Sequence, residues 1–206
     1  MKNKCLWIIC CIFVLTACKQ KNESELIIKD TLEETKSRQK IYSEENGYWQ
    51  KKDSDSEKVL NFVTGMKIVL PDEWVGNVEI SVWPSLEDYG GKLAISEKQN
   101  LEAGASGDLL YLDYVNKKIA KDKPYQIFDT ERVLGVYRPN EETEYALILE
   151  LPREMTWVEG DKNLKEIYDQ FSVQIEELQV ITEDISGFTE CTANDVEWIE
   201  YFAVSE

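Results

Sequence analysis

The sequence predicts an α+β fold, a largely antiparallel sheet packed against a C-terminal amphipathic helix. Three observations lead there. Short segments between residues 66 and 151 alternate apolar with polar residues, and all but one of the gaps joining them are too short for a crossover helix. Leu164, Ile167, Tyr168, Phe171, Ile175 and Leu178 then repeat at i, i+3, i+4, i+7, i+11 and i+14, a single helical stripe that must face something apolar. Residues 58–206 form a stretch of 149, an ordinary size for one domain.

The N-terminus reads as an address. Lys2 and Lys4 precede an uncharged run from Cys5 to Ala17, 13 residues long and too short to span a bilayer. It ends Leu15-Thr16-Ala17-Cys18. That ending resembles a bacterial lipobox, in which the cysteine thiol receives a diacylglyceryl group and the chain is cut before it. The resemblance implies a signal peptide over 1–17, lipidation (palmitate or a similar acyl chain) at Cys18, and a mature protein held to the outer side of the cell membrane. An ordinary secreted protein cut after Ala17 is the alternative. Cleavage removes two lysines and no acid, taking the formal charge from −17 to −19. It also removes Cys5, Cys10 and Cys11, so Cys191 would be the one free thiol, with no disulfide and no cysteine cluster for a metal. Cys191 reads as a small packed residue.

From Lys19 to Glu57 the chain is rich in Lys, Glu, Ser, Asp and Asn, and residues 18–57 read as the lipidated cysteine followed by a flexible tether reaching about 35 Å. Asp53-Ser54-Asp55-Ser56-Glu57 opens like a calcium loop, but Lys58 and Thr64 stand where Gly and a bidentate Glu are required. The domain follows over 58–206. Met66 to Leu70 alternates and stops at Pro71-Asp72. Val78, Ile80 and Val82 alternate with Glu79, Ser81 and Trp83, and Leu93 and Ile95 resume the pattern after Gly90-Gly91. Val133–Tyr137 and Tyr145–Leu151 flank the polar loop 138–143 as a hairpin. Residues 108–119 match a second helix with Leu112, Val115 and Ile119 inward. The stripe at 164–178 takes Asn163 as N-cap and Glu166 as its capping-box partner. Thr192–Phe202 fits either a helix or an edge strand.

Met66-Lys67-Ile68-Val69-Leu70-Pro71-Asp72-Glu73-Trp74, Gly91-Lys92-Leu93-Ala94-Ile95, Val133-Leu134-Gly135 and Tyr145–Pro152 with the closing helix are together similar to uncharacterised secreted and lipid-anchored proteins of Gram-positive bacteria. More distantly, the strand-rich body closed by a helix resembles the PsbP-like α/β sandwich. The likeness covers residues 60–178. It implies a fold and an envelope location and brings no catalytic residues.

The chain contains no histidine, which excludes Ser/His/Asp and Cys/His triads and His-containing zinc sites. Forty acidic against 23 basic side chains argue against nucleic acid as a partner. Gly104-Ala105-Ser106-Gly107-Asp108 fails both as a P-loop and as a nucleophile elbow, because Asp108 stands at the decisive place in each. No catalytic, metal or cofactor residues emerge. Trp83 lies on the strand face opposite Val78, Ile80 and Val82, and with Tyr89 it brackets a loop containing Glu87 and Asp88. Rings beside carboxylates suit sugar rings or peptides, making Trp83 and Tyr89 the candidate ligand-binding residues; a covering helix would make Trp83 core instead. The expectation is a membrane-anchored lipoprotein with a non-catalytic binding or assembly role, its partner an envelope protein or a neutral glycan. A carboxylate-dependent hydrolase acting on envelope glycans is the rival, since abundant acids can supply a pair.

Overall fold

The computed structural model describes residues 48–52, 56–83 and 89–202, the side chain of Tyr89 excepted, all within one compact unit, Lys40–Glu206. Cys18, most of the expected tether and the loop bearing Glu87 and Asp88 lie outside the described residues.

Three sheets make the body. The first joins strands β1 (Lys51–Lys52), β2 (Val59–Phe62), β3 (Lys67–Val69) and β10 (Gln179–Ile181) in that order. The second has six strands: β4 (Val78–Trp83), β5 (Tyr89–Glu97), β6 (Asp108–Asn116), β8 (Glu131–Asn140), β9 (Thr143–Glu150) and β11 (Phe188–Glu190). Their order is β11-β8-β9-β6-β5-β4 and every pair is antiparallel. The third pairs β7 (Tyr125–Ile127) with β12 (Ile199–Tyr201), in parallel. Two α-helices are described, α1 (Lys98–Glu102) and α2 (Lys162–Ser172).

Alternation along the strands decides what each face of the six-stranded sheet meets. Val82, Leu93, Ile95, Leu110, Leu112, Tyr114, Leu147 and Leu149 point to one face. There they share a core with Leu60, Phe62 and Ile68 of the first sheet and with Met66 and Trp74. Val115, Val133, Val136, Ala146 and Ile148 point to the other face, against Ile127 of β7, Ile199 of β12 and Trp198. The middle strands are thus covered on both sides.

This arrangement overturns the expected α+β fold. The molecule is predominantly β, with three sheets, and is not a sheet packed against a C-terminal helix. Helix α2 buries only Tyr168 fully, while Phe171, Ile175 and Leu178 pack partly at the core margin. It ends at Ser172; a 3-10 turn (Ile175–Glu177) follows, so the stripe read as one helix is divided between two elements and stops at Leu178, one residue before β10. Its N-cap is Asp161, whose carboxylate accepts from the Asn163 and Leu164 amides, two residues before the expected Asn163. The expected helix over 108–119 is strand β6 followed by a 3-10 turn (Lys117–Ala120). A strand buried on both faces reads as a nearly continuous apolar run, and Leu112, Val115 and Ile119 match a helical spacing within it by accident. Thr192–Phe202 becomes a 3-10 turn (Ala193–Asp195), closed by a Thr192–Asp195 capping box, and then β12.

The packed body also begins upstream of residue 58. Trp49 is buried in the main core, with its ring 5.0 Å from Tyr114 and 5.8 Å from Phe62. The Tyr48 ring lies 5.0 Å from Tyr114 and 5.2 Å from Tyr145, and β1 adds two residues of pairing to β2. At the turn between β2 and β3, Gly65 takes φ 98° with its α-carbon against the Asp184 carbonyl, where a side chain would collide at 2.3 Å.

Truncating Trp49 to Ala is expected to lower the stability of the full-length chain by about 3–5 kcal/mol in urea unfolding, the cost of emptying a buried indole site. A loss below about 1 kcal/mol would show that residues 48–52 lie outside the cooperative unit.

Candidate functional site

Cross-strand partners share a sheet face, so register decides which distant residues meet. Trp83 on β4 faces Lys92 on β5, and Lys92 faces Asp113 on β6. Tyr111, two residues earlier on β6 and hence on the same face, pairs with Glu150 on β9, and Glu150 pairs with Glu131 on β8. Five strands therefore deliver one aromatic and charged row across the face that also carries the smaller apolar cluster.

Lys92 is its centre. The ammonium lies 2.8 Å from Glu150 Oε2, 3.3 Å from Asp113 Oδ2 and 4.0 Å from the centroid of the Tyr111 ring. The Trp83 ring centroid is 6.3 Å from that of Tyr111. Towards the other end, Arg153 Nη2 lies 2.7 Å from Glu131 Oε2 and 3.7 Å from Glu150 Oε1, and its guanidinium covers the Phe128 ring at 3.8 Å. The Phe128 amide also donates to Glu131, at 2.7 Å. The Tyr111 hydroxyl donates to Asp108 Oδ2 at 2.8 Å, and Ser96 donates to Asp108 Oδ1 at 2.6 Å.

Three carboxylates, Asp113, Glu131 and Glu150, thus share two cations. The Asp113 and Glu131 side chains are only 13% and 5% exposed, against 34% for Lys92. Burial pushes Asp113 up to about 7; Lys92 opposes the rise, and Glu150 and Glu131 add to it. Burial also raises Glu131, against the Phe128 amide and Arg153. For Lys92, burial alone would favour the neutral amine, but Asp113 and Glu150 outweigh it and raise the ammonium above its ordinary value. Two chemistries are open to such a row. Rings with neighbouring carboxylate oxygens can stack on a sugar and accept from its hydroxyls. A carboxyl that holds its proton near neutrality can also donate one.

Of the candidates read from the sequence, Trp83 joins this row, half-buried and on the face opposite Val82. Tyr89 pairs with Val115 through its backbone, and its side chain lies outside the described residues, as does Cys18. Lys92, Tyr111, Asp113, Glu131, Glu150 and Arg153 escaped the sequence reading because they are brought together only by register. One signal was present: Asp113 interrupts the apolar run Leu109–Val115, a cost no strand accepts without a partner. Among the described residues no group of three or more Asp, Glu, Cys or His side chains is disposed to hold a metal ion. Beside the same end of β8, a cavity of about 440 Å³ lies between Val133, Leu134, Val180 and Thr182, with Cys191 on its wall. Cys191 is half-buried; burial and then Asp195 push its thiol up, away from the reactive thiolate.

Replacing Lys92 with Met leaves Asp113 and Glu150 without their common cation. The expected destabilisation is about 1–3 kcal/mol at pH 8 and less at pH 6, where Asp113 carries a proton, as read by denaturant unfolding at the two pH values. Equal losses at both would show that the two carboxyls do not depend on Lys92.

Compared with models of protein families, with curated proteins and with solved structures, the chain finds no match in any of the three.

Proposed function

We propose that this chain is a lipoprotein anchored through Cys18 on the outer side of the cell membrane, and that its β domain is a non-catalytic binding module for a neutral glycan. The carrying observation is the pairing of the Trp83 and Tyr111 rings with the carboxylates of Asp113 and Glu150 on one sheet face. Ring faces contribute stacking, and the oxygens orient a ligand through its hydroxyls. The formal charge of −17 favours a neutral ligand, because an anionic wall polymer would be repelled. Lys92 fills the space between Asp113 and Glu150, which suits a scaffold that presents polar atoms more than a pair that flanks a scissile bond. The lipobox-like Leu15-Thr16-Ala17-Cys18 supports the anchor.

One observation favours a second reading. Asp113, pushed up to about 7 beside Glu150, has the protonation of a general acid, as a carboxylate-dependent glycan hydrolase requires.

Two measurements test these readings. Cys18→Ser is expected to move the protein from the membrane fraction to the soluble fraction and to abolish labelling by a radioactive fatty acid; unchanged membrane retention would refute the anchor. On an array of neutral glycans, the wild-type full-length chain is expected to bind, Trp83→Ala to lose at least about tenfold in affinity, and no glycan to be cleaved. Cleavage that is lost in Asp113→Asn and Glu150→Gln would establish the hydrolase instead.

A further inference from the structure

The charged row holds three carboxylates and two cations, so its charges do not balance with all five groups ionised. Glu131 has Arg153 at 2.7 Å and an amide donor; Glu150 has Lys92 at 2.8 Å and Arg153 at 3.7 Å. Asp113 is left with the longer side of a shared ammonium, at 3.3 Å, and is among the least exposed of the five side chains. Its surroundings are apolar or already engaged. Ile148 is its direct partner on β9, Val115 follows on its own strand, and the Tyr111 hydroxyl is bonded to Asp108. The groups facing it are Lys92 from β5, Glu150 from β9, Glu131 from β8 and, beyond them, Arg153.

We propose that this cluster is a single-proton switch: Asp113 takes up one proton, the Lys92 ammonium passes wholly to Glu150, and the five-group cluster beside Trp83 and Tyr111 loses its one uncompensated negative charge. The step balances, since a proton from water converts the carboxylate to the acid and the ion pair with Glu150 remains. Burial and the neighbouring carboxylates hold Asp113 up to about 7, which places the transition where small changes in external pH act on it. The sign for stability follows. The folded carboxyl binds its proton more tightly than the ordinary 3.8 of an unfolded aspartate, so this group's contribution is complete below about pH 4 and is lost as pH rises through about 7. The switch concerns the molecule whether or not the face binds a glycan.

The test is carboxyl carbon NMR on the full-length chain with isotope-labelled Asp and Glu, titrated from pH 4 to pH 9. One carboxyl is expected to titrate near pH 7 and to vanish in Asp113→Asn. Glu150→Gln relieves repulsion and gives Asp113 sole use of Lys92, so it should lower that midpoint by about one unit or more. Lys92→Met should raise it. Midpoints all below about 5 in the wild type would overturn the proposal. So would a midpoint that stays in place in Glu150→Gln, the variant that removes a charge without opening a cavity.

Discussion

Strands β6 and β9 are covered on both faces, and much of the molecule follows from that double burial. On one side Leu110, Leu112, Tyr114, Leu147 and Leu149 complete the main core with the four-stranded sheet. On the other, Val115, Ala146 and Ile148 receive β7 and β12. Transfer of such side chains from water contributes about 1.5–3 kcal/mol each, so a slip of one residue, exchanging the faces, would disrupt two cores at once. The register is therefore strongly held. It is this register that lays Trp83, Lys92, Asp113 and Glu150 side by side.

The same constraint explains why a charged row persists in a largely buried setting. Removing a carboxylate from water costs several kcal/mol unless a cation and hydrogen bonds replace the water. Lys92 and Arg153 supply that replacement with side chains that retain 34% and 39% exposure, and their charged groups lie over the Tyr111 and Phe128 rings. The sheet thus carries an apolar cluster and a polar row on one face, two residues apart along β6 (Asp113 and Val115), β8 (Glu131 and Val133) and β9 (Glu150 and Ile148). The proposed binding role and the proposed proton switch both draw on this row, because both depend on carboxylates that are near the surface without being fully solvated.

A second buried polar joint lies at the loop Gly104–Asp108, which fails as a phosphate or nucleophile motif. Glu97, inaccessible to solvent, accepts from the amides of Gln99 and Asn100 and from the Asn100 side chain, which in turn donates to the Leu164 carbonyl of α2. The Asp108 carbonyl accepts from Thr156 and from the Tyr168 hydroxyl. Gly107 takes φ 61° with its α-carbon against the Glu97 carbonyl, where a side chain would meet it at 2.5 Å. Gly107 thus serves the join between α1 and β6. Of the candidate site, only Trp83 was legible beforehand, since strand alternation fixes a side without naming its neighbours. Lys92, Glu131 and Glu150 are ordinary surface residues in a one-dimensional reading, and with Asp113 they are spread over four strands.

Short-range signals, which act between neighbouring residues, were sufficient in the sequence alone. Alternation marked β3 and β4, Pro71-Asp72 marked a strand end, and the segments flanking 138–143 marked the β8–β9 hairpin. The net acidity and the lack of histidine likewise need no fold to be known. Tertiary structure alone decided the rest. It made 108–116 a strand, divided the stripe at 164–178 among a helix, a turn and the approach to β10, and drew Trp49 into the core. In each case the competing local conformations differ little in intrinsic preference, and the choice is made by apolar area buried against residues far away in the chain.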